Sequence, residues 1–316
     1  MTLDAKFEDL FLKVSIRAAI SSYNFVGKKN KILADKAAVD AMRVELNEIE
    51  MKGKVVIGEG ELDEAPMLFI GETLGTMSGP ELDIAVDPLE GTNFAANNLP
   101  GALSVISVAE KSNLFSAPET YMNKISANVP NTGILDLDYS IKKNIHNLAD
   151  FKSKKPEDLT ACILDRPRHK KIINDLKELK VNLKLISDGD VSGALLVTDK
   201  KFNVDIFLGI GGGPEGVLAA SALDAFDCFF QGRFLFDNEN DKLRAKNMGI
   251  EDLNKKYSLN EIITGDSIFC ATGITSSELV SGVKIENDTI YTDTLITHKS
   301  TGLKKNIQTR QKVNTN

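Results

Sequence analysis

Between Thr160 and Phe226 the chain alternates short apolar runs with helix-patterned segments, and nothing else in it restricts the fold as tightly. The runs Thr160–Leu164, Leu183–Ile186 and Val204–Leu208 read as strands. Helices are expected over His169–Leu179, after Asp190, and over Glu215–Phe226. Strand–helix–strand units of this kind return each strand parallel to the one before, which places this stretch in an α/β layer with a mostly parallel sheet.

Upstream, Phe7, Leu10, Phe11, Val14 and Ala18 recur at spacings of three and four, so a helix is expected over 3–24. A second runs from Ala34 to Met51 with Ala38, Met42, Leu46 and Ile49 as its apolar stripe. Strands are expected at Lys54–Ile57, Leu82–Val86 and Leu103–Ala109, and a hairpin where Val283–Glu286 and Thr289–Leu295 flank Asn287-Asp288. The polar tail from Lys304 reads as a frayed, solvated end. A Lys-rich break around Phe151 to Leu159, with Pro156, divides the chain into an α+β part, 1–155, and an α/β part, 156–316.

With 316 residues, 42% of them hydrophobic, the chain can bury a large core. Its net charge of −7 argues against bulk nucleic-acid binding. No stretch approaches the roughly 20 apolar residues a membrane helix needs. Met1 to Lys13 mixes charged and apolar residues as an amphipathic helix does, so a cytoplasmic protein is expected. Cys162, Cys228 and Cys270 lie far apart in apolar runs and read as buried thiols. His146, His169 and His298 form neither a zinc spacing nor a serine or cysteine catalytic pattern.

Chemistry concentrates at two strand ends. One is Val55-Val56-Ile57-Gly58-Glu59-Gly60-Glu61-Leu62-Asp63-Glu64, the other Asp83-Ile84-Ala85-Val86-Asp87-Pro88-Leu89-Glu90-Gly91-Thr92. Clustered carboxylates repel one another unless a cation joins them, and Mg²⁺ and Mn²⁺ prefer such oxygen ligands. Pro88 fixes the turn after Asp87, Gly91 permits close approach of a ligand, and Thr92 adds a hydroxyl and a backbone N–H suited to phosphate. Asp35, near a helix start, also reads as an N-cap, and Glu215 is favoured at a helix N-terminus by the dipole alone.

Gly211-x-Gly213-x-x-Gly216 follows a strand and opens a helix, as a dinucleotide fingerprint would, with Asp237 near the distance of a ribose-binding acid. Glu215 would repel a pyrophosphate there. Arg166-Pro167-Arg168 follows a strand, where two guanidinium groups could hold a phosphate. Asp188-Gly189-Asp190 follows the next strand and could hold sugar hydroxyls or cap a helix. Tyr121, in an expected loop near Pro118, could reach a phosphate or pack on a ring.

These residues resemble a known family. Asp87 to Phe94 is similar to the metal-binding signature of the lithium-sensitive, inositol monophosphatase-like sugar phosphatases. Val56 to Leu68, Arg166 to His169, Asp188 to Asp190, Gly211 to Gly216 and Ala271 to Thr275 resemble class II fructose-1,6-bisphosphatases across nearly the whole chain. The resemblance implies a layered αβαβα sandwich of two subdomains, the first metal-binding, the second adding substrate and metal residues. It implies two or more Mn²⁺ or Mg²⁺ ions: Asp35 and Glu59 at one, and Asp87, Glu90 and Glu215 at another, with Leu89 in the metal set. Substrate contacts would come from Glu90, Gly91, Thr92, Tyr121, Arg166, Pro167, Arg168, Asp188, Gly189, Asp190 and Gly212.

Asp63, with Glu61 and Thr92, would carry catalysis. The implied reaction is hydrolysis of the 1-phosphate of fructose 1,6-bisphosphate in gluconeogenesis, by a homo-oligomer (dimer or tetramer). Sedoheptulose 1,7-bisphosphate or an inositol phosphate would suit the same metal chemistry, and a nicotinamide-dependent dehydrogenase is the rival from another class.

Overall fold

The structure, a computed structural model, describes residues 2–60 and 67–313. In chain order it begins with helices α1 (Lys6–Tyr23) and α2 (Lys31–Asn47), strands β1 (Lys52–Ile57), β2 (Thr73–Leu74) and β3 (Glu81–Glu90), and short helix α3 (Thr92–Asn97). Then come β4 (Leu103–Glu110), β5 (Tyr121–Ala127), α4 (Ile141–Lys152), β6 (Thr160–Leu164), α5 (Lys170–Glu178) and β7 (Asn182–Ile186). Next are α6 (Asp190–Leu195), β8 (Ile206–Gly212), α7 (Gly213–Ala225), β9 (Phe229–Leu235), α8 (Glu239–Asn247), β10 (Tyr257–Ser258) and α9 (Leu259–Ile262). The chain closes with β11 (Ser267–Gly273), β12 (Lys284–Glu286), β13 (Thr289–His298) and β14 (Leu303–Lys312).

Two compact units result, one joining Met1–Phe115 to Ile263–Asn316, the other Ser116–Ile262. The division differs from the expected break at 155/156. β11 pairs antiparallel along β4, from Ser267 opposite Ala109 to Gly273 opposite Leu103, and so returns the end of the chain to the first unit. Pairing between strands so remote in sequence leaves no local mark in either.

The first unit is built on an eight-stranded sheet in the order β12-β13-β11-β4-β3-β1-β2, with β14 paired to β13. Alternate strand residues face α1 and α2, because successive side chains point to opposite faces. Val55, Ile84, Val86, Ile106, Val108, Ile268 and Cys270 thereby join Phe7, Phe11, Ala38, Met42 and Leu46 in one core. Buried hydroxyls there satisfy one another: Ser15 Oγ lies 2.8 Å from Thr272 Oγ1, itself 2.7 Å from Thr294 Oγ1.

The expected hairpin forms, with Asn287 (φ 45°) and Asp288 (φ 58°) in the left-handed turn that suits twisted strands. From Lys304 to Lys312 the tail is not frayed. β14 pairs antiparallel with β13 from Leu303 opposite His298 to Lys312 opposite Thr289. Its Lys304, Lys305, Arg310 and Lys312 suit an edge strand, where charge discourages pairing with other chains.

In the second unit a six-stranded sheet runs β10-β9-β5-β8-β6-β7. Only β7-β6-β8 is parallel; β5 is antiparallel to β8 and β9, and β10 to β9. The sheet is therefore mixed rather than mostly parallel, because β5, which precedes the alternating stretch, inserts beside β8. Ile125, Ala127, Ala161, Ile206 and Leu208 pack with Ile145, Leu148 and Leu176 of α4 and α5. The opposite face carries α6 and α7. The protein is thus mixed α/β with two sheets and helices, as the sequence implied. Among the described residues no helix is long and apolar enough to cross a membrane, and the three cysteines are buried and form no disulfide.

Candidate active site

β1 and β3 are parallel neighbours whose last paired residues are Ile57 and Ala85. Glu59 and Asp87 each follow two residues later, so both lie at the same end of the sheet. Along β4, Asp87 stands opposite Val105 and Glu90 opposite Leu103, which requires one extra residue in β3. Val105 and Leu103 are two apart and face the same way; the bulge therefore turns Asp87 and Glu90 to one side despite their odd spacing. Glu90 is 5% exposed and Asp87 half-buried. Gly91 follows at φ 78°, and its carbonyl accepts from Phe94 N at 2.8 Å and Ala95 N at 3.1 Å, which starts α3 at Thr92. A side chain at Gly91 would also press on the Phe94 ring.

Glu59 and Gly60 are tied to Leu68 and Ile70. Glu59 N donates to Leu68 O and Ile70 N to Gly60 O, each at 2.9 Å. Buried Glu72 pairs with Arg43 Nε at 2.7 Å and accepts from Leu68 N. Glu61 and Asp63, the expected catalytic acids, lie outside the described residues. Leu89 packs into the core, so only its carbonyl could serve a metal.

Asp35 does not cap α2. The cap is Asn30, whose side chain accepts from Leu33 N at 3.0 Å. Asp35 is half-buried within the helix, and burial raises its carboxyl pKa above the ordinary range. Gly27 N and Lys29 N donate to Ala95 O and Ala96 O at 2.9 and 2.8 Å, holding the start of α2 beside α3.

In the second unit the expected substrate residues gather at the carboxyl ends of β6, β7 and β8. Pro167 opens a single helical turn, Pro167–His169, that carries the arginines. Arg168 donates from Nε to Ile210 O at 3.0 Å and lays its guanidinium 4.8 Å from the Tyr121 ring centroid. Arg166 lies 3.8 Å from Asp188. Gly189, at φ 84°, turns the chain into α6. Tyr121 is not in a loop; it opens β5, opposite Gly212 and Leu235.

His169, which the sequence left without a role, is buried. Its Nδ1 lies 2.6 Å from Leu164 O, an acceptor, while Ile210 N donates to Nε2 at 2.7 Å. The ring is therefore neutral and protonated at Nδ1.

Gly211, Gly212 and Gly216 make room for other side chains. A Cβ on Gly211 would overlap the Asp190 carboxylate, on Gly212 that of Glu215, and on Gly216 Met122, with the Lys124 stem pressed at 3.2 Å. One on Gly213 would meet Phe234 and Thr120 O. The glycine spacing thus serves the protein's own packing, not a dinucleotide turn. Lys124 reaches Asp190 and Gly212 O from β5. Sequence reasoning passed over it, although a lysine alternating with Met122 and Ser126 in a strand signals a buried charge.

Burial raises the Glu215 pKa, Lys124 opposing and Asp190 reinforcing the shift. Among the described residues no three His, Cys, Asp or Glu side chains are grouped to hold a metal. The chemistry of the donors still fits one kind of ion. They are oxygens throughout, and the carboxyls of Asp35 and Glu215, made reluctant to ionise by burial, would gain from a hard divalent cation.

A family model described as "Bacterial fructose-1,6-bisphosphatase, glpX-encoded" matches residues 6–311. A Prochlorococcus marinus (strain AS9601) protein named D-fructose 1,6-bisphosphatase class 2/sedoheptulose 1,7-bisphosphatase is 41% identical over 299 residues, 90% of each chain. One of the same name from Trichodesmium erythraeum is 38% identical over 310 residues, again 90% of each. Among solved structures, an inositol monophosphatase from Anabaena (Nostoc) sp. PCC 7120 aligns with TM-score 0.33 and 11% identity, over 61% of this chain and 71% of that one.

Proposed function

The chain belongs to the family of bacterial glpX-encoded fructose-1,6-bisphosphatases, and from that premise we propose how its residues divide the work. The reaction is hydrolysis of a phosphoric monoester: the 1-phosphate leaves fructose 1,6-bisphosphate as inorganic phosphate, and fructose 6-phosphate remains. The P–O bond to the sugar breaks, the oxygen of water joins phosphorus, and the sugar oxygen takes a proton.

The observation that carries the reading is the end of β3, where the bulge turns Asp87 and Glu90 to one side beside Glu59, just ahead of Gly91 and Thr92. Asp35, Glu59, Asp87, Glu90 and Glu215, with the Leu89 carbonyl, would hold Mn²⁺ or Mg²⁺, which when bound neutralises phosphate charge and favours water as nucleophile. The Thr92 hydroxyl orients the attacking water, and Asp63 or Glu61 orients that hydroxyl. Arg166 and Arg168 hold the second phosphate, whose binding energy aligns the sugar for in-line attack. Asp188, Gly189 and Asp190 receive sugar hydroxyls, and Tyr121 supports Arg168.

The relatives' printed name, which joins two sugar bisphosphates, favours sedoheptulose 1,7-bisphosphate as a second substrate. Phosphate release from fructose 1,6-bisphosphate, with and without Mn²⁺, Mg²⁺ and added Li⁺, tests the reading. Release should require the divalent cation and fall with Li⁺. Release that ignores both ions would sink the proposal. Parallel assays with sedoheptulose 1,7-bisphosphate and an inositol phosphate order the substrates.

A further inference from the structure

Lys124 is 1% exposed, on the face of β5 that turns toward α7. Its ammonium donates to Oδ2 of Asp190 and, at 2.7 Å, to Gly212 O. A buried ion pair gains little over a well-packed apolar pair, so its presence is not explained by stability alone.

The partner explains it better. Asp190 is 8% exposed, and its Oδ1 is buried with no hydrogen-bond partner among the described residues. Buried carboxylate oxygens are seldom left so. An ionised carboxylate only accepts, so the group that completes Oδ1 must bring a donor. A sugar hydroxyl does; a phosphate would be repelled. Lys124 itself is committed to Asp190 and to a carbonyl, so it is not a phosphate binder despite its charge. The bare backbone of Gly211 and Gly216 gives both side chains the space to meet.

We propose that Lys124 is a positioning residue: it pins Oδ2 of Asp190 and the Gly212 carbonyl, and so presents Oδ1 to a hydroxyl of the sugar. The proposal rests on the reading of the chain as a sugar bisphosphatase and deepens it at one subsite.

Steady-state kinetics on fructose 1,6-bisphosphate with Lys124→Met, Asp190→Asn and the double variant tests it, with thermal melts as the check on folding. Losing one hydrogen bond to a charged group should raise KM about 10- to 100-fold in each single variant, with a much smaller change in kcat. If Lys124 acts through Asp190, the double variant should match Asp190→Asn within about twofold. Should Lys124→Met not fold, that comparison decides alone, because the double variant leaves no unpaired charge. An unchanged KM in Lys124→Met, or losses that multiply in the double variant, would overturn the proposal while the phosphatase reading stands. A wild-type protein that releases no phosphate would overturn both.

Discussion

The backbone N–H of Ile210 donates to Nε2 of His169 at 2.7 Å, so a buried imidazole ties the strand bearing Gly212 to the turn bearing Arg166 and Arg168. Burial, reinforced by the Arg168 charge, holds this ring's pKa below the ordinary histidine value, against the contrary pull of Leu164 O and Asp190. The unfolded chain takes up a proton near pH ~6.5 that the folded ring refuses. The stability this provides is full above that pH and is lost as pH falls through the lower folded value. Denaturant midpoints measured from about pH 8 down to about 5 should decline, and His169→Ala should remove that part of the slope. The variant should also lose about 2–4 kcal/mol, since Leu164 O and Ile210 N are left without partners.

Asp87→Asn keeps the shape of the β3 end and removes a charge. Phosphate release should fall at least about 100-fold, Mn²⁺ affinity measured by calorimetry should weaken, and the circular dichroism spectrum should not change. Full activity would remove Asp87 from the metal site.

Gly212 has φ −65° and ψ 145°, a conformation open to any residue. Gly212→Ala therefore strains no backbone; it only displaces the Glu215 carboxylate that its Cβ would overlap. The melting temperature should stay within a few degrees of wild type, while kcat drops and the Mn²⁺ requirement rises. A large loss of stability with normal kinetics would contradict this.

Arg168→Lys retains the charge but not the planar fork that bonds Ile210 O and covers Tyr121. KM for fructose 1,6-bisphosphate should rise about tenfold. Tyr121→Phe, which preserves the ring, should cost less than Tyr121→Ala; equal effects would show that the phenol hydroxyl matters more than the stacking.

Ending the chain after Thr301 strips β14 from β13 and exposes that strand's edge. A chain so shortened should melt at lower temperature and aggregate on heating, readable by light scattering during a thermal ramp. If the tail were solvated and idle, both measurements would match the full-length protein.

What the sequence by itself determined is the chemistry and its local placement. Glu59 and Asp87 can be put at strand ends because the apolar runs before them have a strand's length. Gly91 can be read as a point of close ligand approach because it carries no side chain. The family follows from the same residues. Lys124 and Asp190 are a different matter, since nothing near either names the other and only the β5–β8 pairing joins them. The same holds for β11 beside β4 and for β14 along β13. Even the capping of α2 by Asn30, local as it is, was decided against Asp35 by where the helix begins. Asp87 and Glu90 share a side only because β4 forces a bulge between them. Propensity and periodicity act over a few residues, whereas strand order and register are set by which faces can be buried together, and that is a property of the whole chain.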